Sequence, residues 1–298
     1  MNPNSSLSAD ELRHVSGSLK RAHMSDHLAT AVFYVVSGAF VLLLVAFTMY
    51  VVWGGIKAFR PEIFSFEANG IGNQFFNTVY LVFLSLVISV PIGIFAGVYM
   101  AEYASEGRII HALRIAIETL SSLPSIVVGL FGYLVFIIMV GSQWNLFAGA
   151  LAVSVLSLPL ITATTYDALK ALPHGFKEGS LALGATHFET IWKVMLPAAI
   201  GPIVTGIILA AGRGFGEAAA LLYTAGMSTD ISWKVWDITS PVCPLNPFRP
   251  GETLSLQVWA SRTEGVGGSA ADTAAAASAV LMLMVLTFSI GARLISHY

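Results

Sequence analysis

The sequence predicts an all-α integral membrane protein with six transmembrane helices. Three observations predict it. Of 298 residues, 56% are hydrophobic and only 11% charged. A soluble domain carries about a quarter charged residues, so this chain has too little charge to stay in water. Six apolar runs approach the roughly 20 residues that a helix needs to cross hydrocarbon. The Lys and Arg residues gather in alternate connections, as the positive-inside bias requires.

The first run covers about 28–53. It is too long for the apolar region of a cleaved signal peptide. The polar residues before it, 1–27, rich in Ser, Asn, His and Asp, read as a disordered leader. Residues 28–298 then form one six-helix membrane domain. The second run, about 75–101, contains "SVPIG"; the third, about 119–140, contains "SLPSIVVGLFG"; the fourth, about 146–164, contains "SLPL". Proline removes a helical hydrogen bond and kinks the helix, and neighbouring helices satisfy the freed carbonyl. Two readings stay open: bent helices around a pathway, or close packing through small residues. The fifth run is about 198–223, and the sixth, opening Ala-rich, about 273–290.

With the N-terminus inside, the inner segments hold Arg13, Lys20, Arg21, Arg108, Arg114, Lys170, Lys177, Lys193 and Arg293. The outer loops hold Lys57, Arg60, Lys234, Arg249 and Arg262. This predicts a multi-pass protein with both termini in the cytoplasm.

Two connections are too long to be simple links. The inner one, 165–197, reads "TYDALKALPHGFKEGSLALGATHFETIWKVMLP". Pro173 can start a helix with Phe176, Ser180 and Leu183 on one face and Leu181, Ala185 and Phe188 on an adjacent one. Gly184 breaks it, and a second short helix follows through Ile191 and Trp192. Two short amphipathic helices joined at a glycine make either a knob for a partner's groove or a pair lying in the headgroups. The outer one, 226–271, contains "PVCPLNPFRPG", with four prolines, and then "ETLSLQVWASR". Pro250-Gly251 ahead of Glu252 reads as a break before a short amphipathic helix, about 252–261. That helix is either a docking element on the outer face or a lid on the bundle.

Glu178, Gly184 six positions later and Leu196-Pro197 resemble the EAA loop of ABC importer permeases, which reads E-A-A-x-x-x-G and then I-x-L-P. Gly179 and Ser180 stand where that family favours alanines, and Val194 where it favours isoleucine. The resemblance implies a type I ABC importer permease fold. It also implies that Glu178, Gly184, Leu196 and Pro197 dock on a separate ATPase subunit. "NTVYLVFLSLVISVPIGIFAGVYMAEYA" (77–104), "LSSLPSIVVGLFG" (120–132), the segment 180–226 and "ETLSLQVWA" (252–260) are similar to the PstA-type permeases of phosphate-specific importers. The similarity covers roughly 70–295 and is sharpest at "GRGFGEAAALLYTAG", where relatives read G-R-x-x-G-E-T-A-x-L and this chain has Ala218 for the usual Thr. It implies a subunit that translocates inorganic phosphate. The partners implied are a second, PstC-type permease, a PstB-type ATPase dimer and a PstS-type phosphate-binding protein. No Gly-Lys dipeptide occurs, hence no P-loop. No cofactor is expected on this chain; ATP and Mg belong to the ATPase.

Arg213 and Glu217 lie inside the fifth run. An Arg at mid-membrane costs about 2.5–3.5 kcal/mol on insertion scales, so the pair must face protein or water. At i, i+4 the two side chains would share one helical face, with Gly212, Gly214 and Gly216 clearing space around them. Guanidinium matches the oxygens of phosphate and stays charged. The pair reads as a substrate path in which Glu217 holds Arg213 between substrates, or else as an ion pair locking this span to a neighbour. The resemblance implies that Arg213 matches an arginine in the phosphate path of the PstA-type permeases. Glu102 reads as an interfacial anchor and Glu118 as helix-end chemistry. His111, His174 and His187 read as surface residues without metal-ligand spacing. No catalytic constellation and no metal site is expected. The alternatives are a permease for another oxyanion or small solute, and a membrane enzyme or channel. An enzyme would need clustered polar groups in its spans, and a channel would not need the inner knob.

Overall fold

The computed structural model describes residues 9–67, 70–104, 107–265 and 268–297. Every regular element among them is helical. Residues 1–51 form one unit and 52–298 another. The first unit is the helix α1, Ala9–Lys57, which continues a few residues into the second. The leader expected over 1–27 lies partly outside the described residues. From Ala9 its backbone is helical and runs unbroken into the first apolar run.

The second unit opens with α2, Gly72–Val98, extended by a π turn, Tyr99–Tyr103. Pro91 sits inside α2 without ending it. The expected third span differs from a straight crossing. It is a pair, α3 (Arg108–Ser122) and α4 (Ser125–Gly132, continued by a π segment to Ile138), bent by 98°. The cause is Leu123-Pro124. Steric clash with the proline ring disfavours helical ψ at Leu123, and here the chain gives way: Leu123 and Pro124 have ψ of 133° and 135°. The amphipathic α3 buries only Ile110, so the apolar crossing is left to 125–138. At 1.5 Å per residue that segment is about 21 Å long, short of the roughly 30 Å hydrocarbon core.

The next helix, α5 (Leu146–Lys170), is capped by Asn145, whose side chain accepts from Ala148 N at 2.8 Å. It runs past the expected end of span four, so the knob begins near residue 171 rather than 165. The knob consists of α6 (His174–Ala182) and α7 (His187–Thr190), the latter carried on by a π segment, Ile191–Met195, and one turn, α8 (Leu196–Ala198). A 68° bend leads into α9, Ile200–Gly216. A second break separates α9 from α10, Ala219–Thr224, so the expected fifth span is also interrupted. After a long irregular loop come α11 (Leu254–Thr263) and α12 (Gly268–His297). Among the described residues, four helices are long and apolar enough to cross a membrane, or up to six if each bent pair is one span.

The helix α5 is the centre of the bundle: 67% of its apolar window is buried, against 39% for α2 and 22% for α12. Lipid removes the hydrophobic drive between helices, so contact must come from close van der Waals packing over small residues. The sequence supplies them. A Cβ added at Gly93 would stand 2.7 Å from Ile161 Cγ2, and one at Gly97 2.6 Å from Thr165 Cβ. These two glycines, four apart, let α2 lie against α5 despite Pro91. On the other side a Cβ at Gly129 would meet Ala220 Cα at 2.7 Å, joining α4 to α10. Close packing and bent helices are both present.

Candidate translocation site and coupling knob

Arg213 and Glu217 do not share a helical face. Three glycines at 212, 214 and 216 weaken the last turns of α9, each by about 1 kcal/mol relative to Ala. The helix ends at Gly216, and Glu217 is extended at φ −71°, ψ 125°. The chain can break here because its freed polar groups find partners, as lipid-embedded backbone must. The Glu217 carboxylate accepts from Ala220 N at 3.2 Å, at the positive end of α10. The Ser255 hydroxyl of α11 donates to the Glu217 carbonyl at 2.6 Å. Glu217 is buried and Arg213 exposed. Among the described residues no ion pair or hydrogen bond holds Arg213. The expected pair is therefore replaced by a buried cap and a free guanidinium.

Pro202, Leu209, Arg213 and Gly216 form an exposed stripe along α9. A Cβ at Gly212 or Gly216 would meet nothing within 4 Å, whereas one at Gly214 would touch Val82 of α2 at 3.3 Å. Two of the three glycines thus open space beside Arg213, and the third seats α9 on the bundle.

The knob forms as its pattern predicts, two short helices joined at a glycine. Gly184 has φ +88°, and a side chain there would meet nothing within 4 Å. The requirement for glycine is thus the left-handed backbone and not space within this chain. Thr186 caps α7 in a reciprocal box with Glu189: its hydroxyl accepts from Glu189 N, and Glu189 Oε2 accepts from Thr186 N at 3.1 Å. The Lys193 ammonium with this cap holds the Glu189 carboxyl down to about 2. Glu178 is exposed. So are Leu183 (91%), Phe188, Phe176, Leu181 and Trp192, a run of large apolar side chains beside it. Leu196 packs on the apolar core formed by Val98, Leu169, Ile191 and Ile203 and opens α8, with Pro197 as its second residue.

Sequence reasoning missed what stands behind the knob. Glu102, expected to be an anchor, receives Lys177 Nζ at 2.6 Å and lies 3.4 Å from His187 Nε2. It also missed a polar network at the other end of α2. Arg249 is 1% exposed. Its Nε donates to the Cys243 carbonyl at 3.0 Å, and one terminal nitrogen donates to Asn77 Oδ1 at 2.7 Å and to the Pro244 carbonyl at 3.0 Å. Burial pulls its guanidinium down to about 10, still charged at neutral pH. Asn77 in turn donates to the Glu252 carbonyl at 2.9 Å, and Gln74 Nε2 to the Glu252 carboxyl at 3.0 Å. Burial pushes that carboxyl up to about 7, against the opposing pull of the Gln74 donor. The expected helix at 252–261 exists two residues later as α11, with Thr253 at its N-cap. Leu254 and Leu256 are fully buried, so its start is packed into the bundle, as a lid would be. No sequence signal tied Arg249 or Glu252 to α2, because proline-rich loops carry no periodicity.

Residues 89–295 match the family described as the binding-protein-dependent transport system inner membrane component. The probable ABC transporter permease protein YqgI of Bacillus subtilis (strain 168) is 40% identical over 277 residues, covering 91% of this chain and 94% of that one. The phosphate transport system permease protein PstA of Xylella fastidiosa (strain 9a5c) is 33% identical over 76% of this chain and 75% of its own. Two solved structures share the fold. One is a bacterial ABC transporter involved in import of the acidic polysaccharide alginate, with TM-score 0.61, 16% identity, and 94% of this chain and 98% of that chain covered. The other is the inward-facing MetNI methionine ABC transporter, with TM-score 0.56, 19% identity, and 76% and 93% covered. Glycine-seated bent helices, a helix-turn-helix knob and a match over most of the chain agree: this protein belongs to the binding-protein-dependent inner membrane component family, the multi-pass, non-catalytic permease subunits of ABC importers.

Proposed function

We propose that this permease carries inorganic phosphate inward, with both termini in the cytoplasm and the knob facing the cytoplasm. The observation that carries the reading is Arg213, an exposed guanidinium without a partner among the described residues, on an otherwise apolar helix and flanked by two glycines with open space. A charge in that setting is uphill against lipid by about 2.5–3.5 kcal/mol. A second, PstC-type permease covering this stripe would place Arg213 in a shared, water-filled path. There it would draw a tetrahedral oxyanion by charge-assisted hydrogen bonds. Glu217 contributes by shape, ending α9 and starting α10 so that Arg213 stands at the break. The similarity to a PstA protein supports phosphate as the substrate.

A PstB-type ATPase dimer, holding ATP and Mg, would take the apolar knob surface around Glu178, Gly184, Leu183 and Phe188, with Leu196 and Pro197 fixing its exit. A PstS-type protein would deliver phosphate on the opposite side. A permease for another oxyanion is the second reading, because the guanidinium reads charge and oxygen geometry and YqgI carries no substrate in its name. The test is labelled phosphate uptake at low external phosphate in a strain lacking this chain. Restoration by the parent, loss in Arg213→Ala with the complex still assembled, and no competition by sulfate support phosphate. Restored uptake in Arg213→Ala removes the guanidinium from the path. Equal competition by sulfate favours the second reading.

A further inference from the structure

Glu102 stands in the π turn that closes α2. A π turn holds one extra residue, which rotates the next side chains by about 100° relative to an α-helix. In this protein it turns the Glu102 carboxylate, 6% exposed, toward the knob. Lys177 reaches it from α6 and His187 from α7, the two helices on either side of the Gly184 turn. The Tyr103 ring meets the His187 ring edge-on, with centroids 5.0 Å apart. Beneath this rim Val98 and Ala101 share one apolar core with Ile191 and Met195 of the knob's own π segment. One carboxylate therefore grips both halves of the knob at once.

The far end of α2 is gripped as well. Asn73 donates to the Thr229 carbonyl, Gln74 to Glu252, Asn77 to the Glu252 carbonyl, and Thr78 Oγ1 accepts from Leu254 N. The helix of 27 residues spans about 40 Å. It is tied to the knob at one end and to the long loop at the other.

We propose that Glu102 is the positioning residue that makes the knob and α2 move as one body, so that motion imposed on the knob reaches the loop held at the far end of α2. This rests on the reading of the knob as the ATPase-docking element. The Lys177 end of the pair is 37% exposed and screened by solvent, and the apolar core already holds the knob in place. What the clasp adds is direction: it engages α6 and α7 together, which the core beneath α7 does not.

The test uses the full complex with its ATPase and binding protein in lipid. In a Cys243→Ser background, spin labels at Ile92 on α2 and His174 on α6 report the knob-to-helix distance with and without trapped nucleotide. In the parent that distance stays fixed. In Glu102→Gln it becomes nucleotide-dependent, and transport per ATP falls about tenfold, within the usual range of coupling between distant sites. The reversed pair Glu102→Lys with Lys177→Glu restores both. A fixed distance and normal coupling in Glu102→Gln, or a reversed pair no better than Glu102→Gln while both complexes assemble, overturns the proposal. Leu183→Asp tests docking by itself. It should release the ATPase, and retention of the ATPase in that variant overturns the docking reading and the clasp's function with it.

Discussion

Arg213 and Arg249 carry the same charge in opposite settings. Arg213 lies on a regular helix, exposed, with no partner among the described residues. Arg249 lies in an irregular loop, 1% exposed, with Nε and both terminal nitrogens donating to oxygens. An unsatisfied cation in an apolar element awaits something outside the chain. A satisfied one organises the chain around itself. The difference separates a residue whose loss should cost transport from one whose loss should cost the fold.

The sharpest way to break that distinction is Arg249→Met. It keeps roughly the same bulk and leaves Asn77 Oδ1 and the Pro244 carbonyl buried without their donor, while the Cys243 carbonyl keeps Asn246 N. At about 1 kcal/mol or more for each stranded acceptor, the loss is roughly 2 kcal/mol or more. Thermal unfolding of the purified complex reads it, together with protease cleavage in the loop between α10 and α11. An unchanged melting temperature would show that water or local repacking replaces the guanidinium.

Arg213→Ala is the complementary experiment. Losing a charge-assisted hydrogen bond to an anion costs about 1.5–3 kcal/mol, or roughly 10- to 100-fold in uptake. The melting temperature should hold or rise, because among the described residues no ion pair or hydrogen bond depends on this side chain. A fall comparable to that of Arg249→Met would make both arginines structural and end the comparison.

Legibility in the sequence divides along the same line. Arg213 is visible because a charge interrupts an apolar periodicity, and the knob because Gly184 interrupts an amphipathic one. The breaks at Leu123-Pro124 and Glu217 are harder to place. Hydropathy runs straight through both, and only local backbone chemistry stops the helix. At Glu217 the spacing suggests a partner that the backbone denies: glycines on either side of Arg213 end α9 one residue before the i, i+4 pair could form. Arg249, Glu252 and the Glu102 clasp are illegible. Asn77 and Gln74 in α2, which hold Arg249 and Glu252, and Lys177 and His187 in α6 and α7, which hold Glu102, lie far away in the chain from their partners, and a loop with four prolines has no period from which to infer a neighbour.

A smaller effect is expected at Gly184→Val. The left-handed backbone at φ +88° costs a side-chain-bearing residue about 1–2 kcal/mol. The cost falls on an exposed turn, so the bundle should survive it. The expected outcome is a complex that assembles and hydrolyses ATP with transport uncoupled. Preserved uptake at the parent rate would mean that the turn tolerates the strain and that its shape does not set coupling.

The smallest effect, and the one that reads the Arg249 network most finely, is pH dependence through Glu252. Its carboxyl is raised from 4.5 to about 7 by burial, with the Gln74 donor opposing. The folded protein therefore binds this proton more readily than the unfolded chain does. A raised carboxyl contributes stability that is complete below about 4.5 and is lost as pH rises through about 7. The complex should accordingly melt at progressively lower temperature across the window in which pH rises from about 4.5 through about 7, and so lower at pH 8 than at pH 6, with little further change above about pH 8. Glu252→Gln keeps an acceptor for Gln74 and removes the titration, so its melting temperature should be flat across the window and above the parent's at pH 8. The sign discriminates between two states of the network. If Arg249, two hydrogen bonds away through Asn77, stabilised a charged Glu252 across the loop, the parent would gain stability on going from pH 6 to pH 8 and the Gln variant would be the weaker of the two at pH 8.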